Sequence, residues 1–388
     1  MSESLSAKSE VIVRNAGERK QSAARENPGR QFDAAMKDRS NGIYSIPVRY
    51  QTKKPTSNGW SKLRLEEEGL RAAFSDPLMN RSRLLGEVSG GIVDCDLDCE
   101  EAVRLAPAFL PSTGDVHGRP GNPNSHYWYR VEEGGFKTLK FQDESGEMLV
   151  ELSGDGALTV VPPSVHESGE PVFWSKQDGP LQIAGATLAG ACSRLAAAAM
   201  LLRHYPSRGG RHSFVLAVAG LLLQGGLAAE AAGDLVRAVA DAAGDEEAES
   251  RLRDVESTAQ RLERNEPVQG RSELLKLLGS RANKIVRKLE EWLGLQRPFT
   301  AAGISVRDPA EYHEQFQQLL EEARSQPKEI VAKWLTDGSQ LEELAEASLA
   351  CVAGYQAWLL QLRSGGVPAV AVNRLEAAVT WGTARQSS

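Results

Sequence analysis

Asp94, Asp96 and Asp98 occupy alternate positions in GGIVDCDLDCEE (residues 90–101), directly after Ile92 and Val93. On a strand, side chains at i and i+2 leave the same face, so Asp94 and Asp96 must project side by side. Adjacent carboxylates repel, each raising the pKa of the other, and a cation is the usual remedy. Hard oxygen ligands favour Mg2+ or Mn2+ over zinc. Asp98 has the same parity, but LDCEEA reads as a strand end passing into a helix. Asp98 is therefore read as a helix N-cap, with a direct metal role as the alternative. Cys95 is expected to be a small buried residue facing away from the aspartates. The competing reading of an isolated DxD is an edge strand with its acids in water.

Two downstream features weigh against that reading. His126 lies near the start of SHYWYRV (residues 125–131), whose aromatic and β-branched alternation predicts a strand. Glu151 interrupts the apolar run MLVELS (residues 148–153). An acid in such a run is costly unless it is paired, metal-bound or at an edge.

The elements that must position these residues follow from local pattern. GIYSIPVRY (42–50) predicts a strand and LEEEGLRAAF (65–74) a helix. LLGEVSGGIVDCDL predicts two short strands around a glycine turn. MLVELSGDGALTVVPP predicts strand, tight Gly154-Asp155-Gly156 turn and strand, ended by Pro162 and Pro163. Beyond about residue 188 the spacing turns helical: an alanine-rich helix, RHSFVLAVAGLLLQ stopped by Gly225-Gly226, then amphipathic segments to about 295. The tail from 296 to 388 predicts further helices of unassigned role, and residues 1–40 a polar, disordered or loosely packed arm.

The ordered set GIVDCD, SHYWYR and VELSGDG, with RPGNPNSHYWYR and VVPPSVHESGEPVFW, resembles the prim-pol branch of the archaeo-eukaryotic primase superfamily, plasmid and phage type. The resemblance covers roughly residues 42–187. It implies an α+β fold: a primase/polymerase catalytic core with an RRM-like sheet over 41–187, then an all-α accessory domain over 188–295. It implies that Asp94, Asp96 and Glu151 hold two divalent ions, Mg2+ or Mn2+, about 3.5–4 Å apart for in-line nucleotidyl transfer. His126 would grip the incoming triphosphate as the fourth catalytic residue. The family serine often stands two residues before this histidine. Here Ser125 immediately precedes it, which puts a nucleotide-binding role for Ser125 in question. Arg119, Arg130 and His166 are candidate nucleotide contacts. Lys53, Lys54 and Lys62, near Trp60, are candidates for a DNA template groove by phosphate contact and stacking. Arg211, at an expected helix start, is a further candidate DNA contact.

The chain has 388 residues and a formal charge of -7, so DNA contact must come from local patches rather than the global field. The four cysteines show no zinc spacing or disulfide framework, which suits a reducing cytoplasm. No secretory pattern opens the chain, and no run approaches the ~18 apolar residues of a membrane span, so no membrane partner is expected. No GxxxxGK[ST] occurs, so unwinding would fall to a separate replicative helicase or to a longer natural chain. The expected activity is template-directed DNA priming and polymerisation for a phage, plasmid or other mobile element, with single-stranded DNA and nucleoside triphosphates as partners. The alternatives are a non-enzymatic initiator binding origin DNA and a metal-dependent nuclease.

Overall fold

The structure, a computed structural model, describes residues 29–295, all within one compact unit. The expected tail helices beyond 295 and the first 28 residues of the expected arm lie outside the described residues. The arm does not reach residue 40. Arg30–Ser40 form helix α1, which packs Phe32, Ala35 and Met36 against Leu70 and Phe74. Strand β1 (Ser45–Val48), helix α2 (Glu67–Ala73) and strand β2 (Asn80–Leu84) follow.

Next come β3 (Ile92–Leu97), helix α3 (Glu100–Phe109), β4 (Asp115–Arg119), β5 (Asn122–Val131), β6 (Leu139–Gln142) and β7 (Met148–Ser153). Strands β8 (Leu158–Val161), β9 (Phe173–Gln177) and β10 (Leu181–Ile183) complete the β-rich part. Two sheets result. The larger has the order β6-β7-β3-β5-β4-β9, antiparallel throughout, with β10 parallel to the far half of β5. The smaller is β1-β2-β8, also antiparallel.

One expectation about connectivity fails. The strands on either side of Gly154-Asp155-Gly156 do not pair: β7 belongs to the large sheet and β8 to the small one. The turn is a crossing point. The Asp155 carboxylate accepts the main-chain N–H groups of Glu87 and Phe136, each at 2.7 Å, and so ties the turn to two other loops. Gly86 has φ +83°, and a Cβ there would collide with Asp155, so both features of the crossing require glycine.

Helices α4 (Gly185–Arg203), α5 (Arg211–Gln224), α6 (Ala229–Ala242), α7 (Ala248–Glu263), α8 (Arg271–Leu278) and α9 (Ala282–Trp292) form the all-helical part. Gly279, at φ +73°, and a short 3-10 turn separate the last two. α4 is long and apolar enough to cross a membrane by composition, but it is the central core helix, with Leu188, Leu195 and Met200 buried. The helical part does not stand apart from the sheet. Val93, Cys95, Leu97, Tyr129, Val150 and Leu152 share one continuous apolar cluster with α3 to α9. The strands of the large sheet thus present one face to helices and the other to the small sheet, where Ile92 and Trp128 meet Ile43, Leu85 and Val161.

β2 is buried along its whole length although it reads Asn-Arg-Ser-Arg-Leu. It survives burial because its charges are paired. Arg81 bonds the Asp38 carboxylate, Ser45 Oγ at 2.9 Å and the Pro162 carbonyl at 2.5 Å. Arg83 pairs with the same Asp38 at 2.6 Å and stands 3.5 Å from Asp115. Burial opposes ionisation of Asp38, but Arg81 and Arg83 outweigh it and hold the carboxyl below its ordinary 3.8. Its stabilisation is therefore present above that value and is lost as pH falls through the lower folded value. Removing one partner of a buried pair strands the other charge, so Asp38→Ala should cost about 3–5 kcal/mol in urea unfolding at pH 7. A loss below ~1 kcal/mol would mean water reaches these guanidinium groups.

Candidate active site

Three neighbouring strands bring the sequence-predicted acids and histidine together. In the β3–β5 ladder Asp96 lies opposite His126 and Asp94 opposite Trp128. In the β3–β7 ladder Asp96 lies opposite Glu151 and Asp94 opposite Ser153. Directly opposed residues of an antiparallel pair share a face, so Glu151, Asp96 and His126 form a row across the sheet, with Asp94 one step along. The intervening residues Val93, Cys95 and Leu97 face the helices; Cys95 Sγ is 3.5 Å from Cys192 Sγ on α4. The same alternation puts Ser125 on the helix-facing side, opposite to His126, which removes it from the row.

His126 Nδ1 is 2.9 Å from Asp94 Oδ2 and 3.5 Å from Asp96 Oδ1. Thr159 Oγ1, from the small sheet, donates to the same Asp94 oxygen at 2.7 Å. Asp94 Oδ1 is buried and has no hydrogen-bond partner among the described residues. Glu151 Oε1 accepts from Ser153 Oγ at 3.1 Å and faces Lys140 Nζ at 3.6 Å. Burial above all, helped by Asp94 and Asp98, raises the Asp96 carboxyl to about 7 against the pull of His126 and Lys53. Burial works against a charge on His126, but Asp96 and Asp94 overcome it and lift the imidazole to about 9. The metal-free row is therefore a carboxylate pair held by an imidazolium.

Asp98 is not the helix cap. The N-cap position of α3 is Cys99, without a side-chain cap bond. The Asp98 N–H continues the ladder to the Leu149 carbonyl at 3.2 Å. Its carboxyl is raised mainly by burial; Lys53 and His126 pull it down, while Glu151 and Asp94 push it up, so it belongs to the carboxylate group.

The basic candidates divide. Lys53 is exposed, and its charge acts on Asp96, Asp98, His126 and His166. Arg119 pairs with Glu170 at 2.6 Å; Glu170 also accepts from Ser168 Oγ, which is 2.9 Å from His166 Nδ1. Burial first, then Arg119 and Lys53, keep His166 below its ordinary value. Lys53, Arg119 and His166 thus share one rim. Arg130 is not on it: its guanidinium binds the carbonyls of Ser89, Gly90 and Asn41 and locks the glycine turn before β3. Lys54 and Lys62 are exposed and form no ion pair among the described residues. Arg211, at the start of α5, pairs with Asp245 and Glu246 inside the helical part.

Sequence reasoning missed His117, Thr159 and Arg83. His117 lies opposite His126 on β4, its ring parallel to that of His126 with centroids 4.3 Å apart. Trp128 Nε1 donates to His117 Nδ1 at 2.8 Å, and the Arg83 guanidinium lies over Trp128 and Trp174 at 4.8 and 4.7 Å. No sequence spacing links these residues; only the strand register and the second sheet do.

Residues 36–188 match the family described as bifunctional DNA primase/polymerase, N-terminal. The chain carries a prim-pol domain. No curated protein matches the chain. The match begins inside α1 and ends inside α4, so the prim-pol domain takes in the Asp38 ion network and both sheets. Prim-pol domains are DNA primase/polymerase nucleotidyltransferases, and they typically use divalent metals.

The residues fit that requirement. A buried carboxylate oxygen without a donor, beside a second carboxyl raised by its neighbours, is a place where a hard cation relieves two costs at once. Among the described residues, no three acid, histidine or cysteine side chains close on a common point, with Glu151 engaged by Ser153 and Lys140. In metal-free solution, proton NMR of the His126 ring should therefore show titration near 9. The stabilisation it brings is full below its ordinary 6.5 and is lost as pH rises through about 9. Asp94→Asn should move the titration downward; an unchanged midpoint would mean Asp94 does not hold the ring.

Proposed function

We propose that the protein is a template-directed DNA primase/polymerase that joins nucleotides on single-stranded DNA, serving a phage, plasmid or other mobile element in the cytoplasm. The observation that carries this is the row Glu151–Asp96–His126 with Asp94 beside it, inside a prim-pol domain. Asp94, Asp96 and Glu151 are the residues to hold two divalent cations, Mg2+ or Mn2+. When bound, such cations neutralise the triphosphate and lower the pKa of the attacking hydroxyl.

The side chains supply the rest. Asp94 and Asp96 hold His126 by Nδ1. Its Nε2 has no hydrogen bond among the described residues and is free to donate to a phosphate oxygen. Lys53, with Arg119 and His166 along the same rim, adds positive charge where a triphosphate must lie, so Lys53 is assigned to the nucleotide rather than to a template groove. Phosphoryl transfer needs positioning and charge neutralisation more than a covalent nucleophile. The rigid three-strand register provides the positioning. Strand separation is left to a separate helicase.

With Mn2+, a single-stranded template and all nucleotides, the wild-type protein should make extended product. Asp94→Asn and Glu151→Gln should each reduce incorporation by about 100-fold or more while circular dichroism stays unchanged. No product from the wild type defeats the proposal. Loss of labelled DNA without nucleotides would point to a nuclease. Tight origin binding indifferent to Asp94→Asn, with no synthesis, would point to an initiator.

A further inference from the structure

The mechanism above makes no use of His117, although it is the best-enclosed titratable side chain near the carboxylates. It is fully buried, opposite His126 across one ladder and opposite Trp174 across the next. Its ring is within 3° of parallel to the His126 ring. Trp174 meets it edge-on, with centroids 5.2 Å apart. The indole N–H of Trp128 can only donate, so His117 Nδ1 is the acceptor and the neutral ring carries its proton on Nε2, which is buried without a hydrogen-bond partner among the described residues. Turning the ring over would leave a buried indole N–H without a partner, which is costly. Trp128 is itself fixed by the Arg83 guanidinium on its face, and Arg83 by Asp38. His117 is therefore a flat surface whose orientation is set from behind.

We propose that His117 is a positioning residue: it fixes the plane of the His126 ring so that Nε2 is presented to the incoming triphosphate. This rests on the reading of His126 as the triphosphate contact. A hydrogen bond to one ring nitrogen leaves the ring free to swing about that bond. A parallel surface 4.3 Å away removes that freedom. The hydrogen bond to Asp94 and the ion-pair contact with Asp96 set one end of the His126 ring, and His117 sets its tilt. Burial, and then the charges on His126 and Arg83, keep His117 uncharged, so the stack is a neutral ring against an imidazolium rather than two cations.

The test is calorimetric titration of dATP into the full-length protein with Mn2+ and a single-stranded oligonucleotide. It compares wild type, His117→Leu, His117→Phe, His126→Ala and the double variant His117→Leu/His126→Ala. His117→Leu should weaken dATP by about tenfold, and it should add nothing in the His126→Ala background, because coupled residues are not additive. His117→Phe keeps a flat ring and should retain most of the binding; if His117→Leu does not fold, this variant decides alone. Equal weakening by His117→Leu in both backgrounds, no weakening by it, or a folded His117→Phe as weak as His126→Ala would each overturn the proposal. Absent dATP binding by the wild type, or unchanged binding by His126→Ala, would overturn the reading of His126 and this inference with it.

Discussion

Two aspartates on one face of a covered strand repel each other, and the site is built around that repulsion. Asp94 is almost wholly buried, while the Asp96 side chain keeps 22% of its surface exposed. The metal-free protein balances them with one imidazolium from β5 and one hydroxyl from β8. One oxygen of Asp94 is still left without a donor. The fold thus holds a negative charge that a hard cation would neutralise.

That arrangement requires the sheet to be correct to a single residue. The face of β3 that bears the aspartates meets the small sheet, while Val93, Cys95 and Leu97 meet the helices. A slip of one position would turn the acids into the apolar cluster and the apolar residues toward the charge. The helical cluster therefore does more than stabilise; it excludes the wrong register. On the other side, Asp38 neutralises Arg81 and Arg83 of β2, and Arg83 in turn braces the indoles behind His117. A helix beginning at Arg30 is thus connected to the carboxylate row through one ion pair and one aromatic box.

The parts of this that could be read in the sequence are those carried by short-range periodicity. The spacing of Asp94 and Asp96, the apolar run around Glu151 and the alternating strand around His126 gave the row and its family resemblance. The helical spacing gave most of α4 to α9. What could not be read depends on long-range pairing. Nothing local shows that Asn80–Leu84, with two arginines, is a fully buried strand, or that Asp38 is its counter-ion. The Gly154-Asp155-Gly156 turn has hairpin chemistry, but it sends the chain to a second sheet. Asp98 resembled a cap because its neighbours begin a helix; the helix starts one residue too late for that role. Ser125 stands one residue off the family spacing, and strand alternation sends it to the other face; Arg130 is occupied by main-chain carbonyls.

Binding of Mn2+ is the most direct measure of whether the carboxylate row is a cation site for nucleotidyl transfer. Isothermal titration of Mn2+ into wild type and Asp94→Asn, each with dATP and a single-stranded template, separates the possibilities. A cation centre requires saturable binding in the wild type that is lost in Asp94→Asn. Equal Mn2+ binding in both, or none in either, would contradict it.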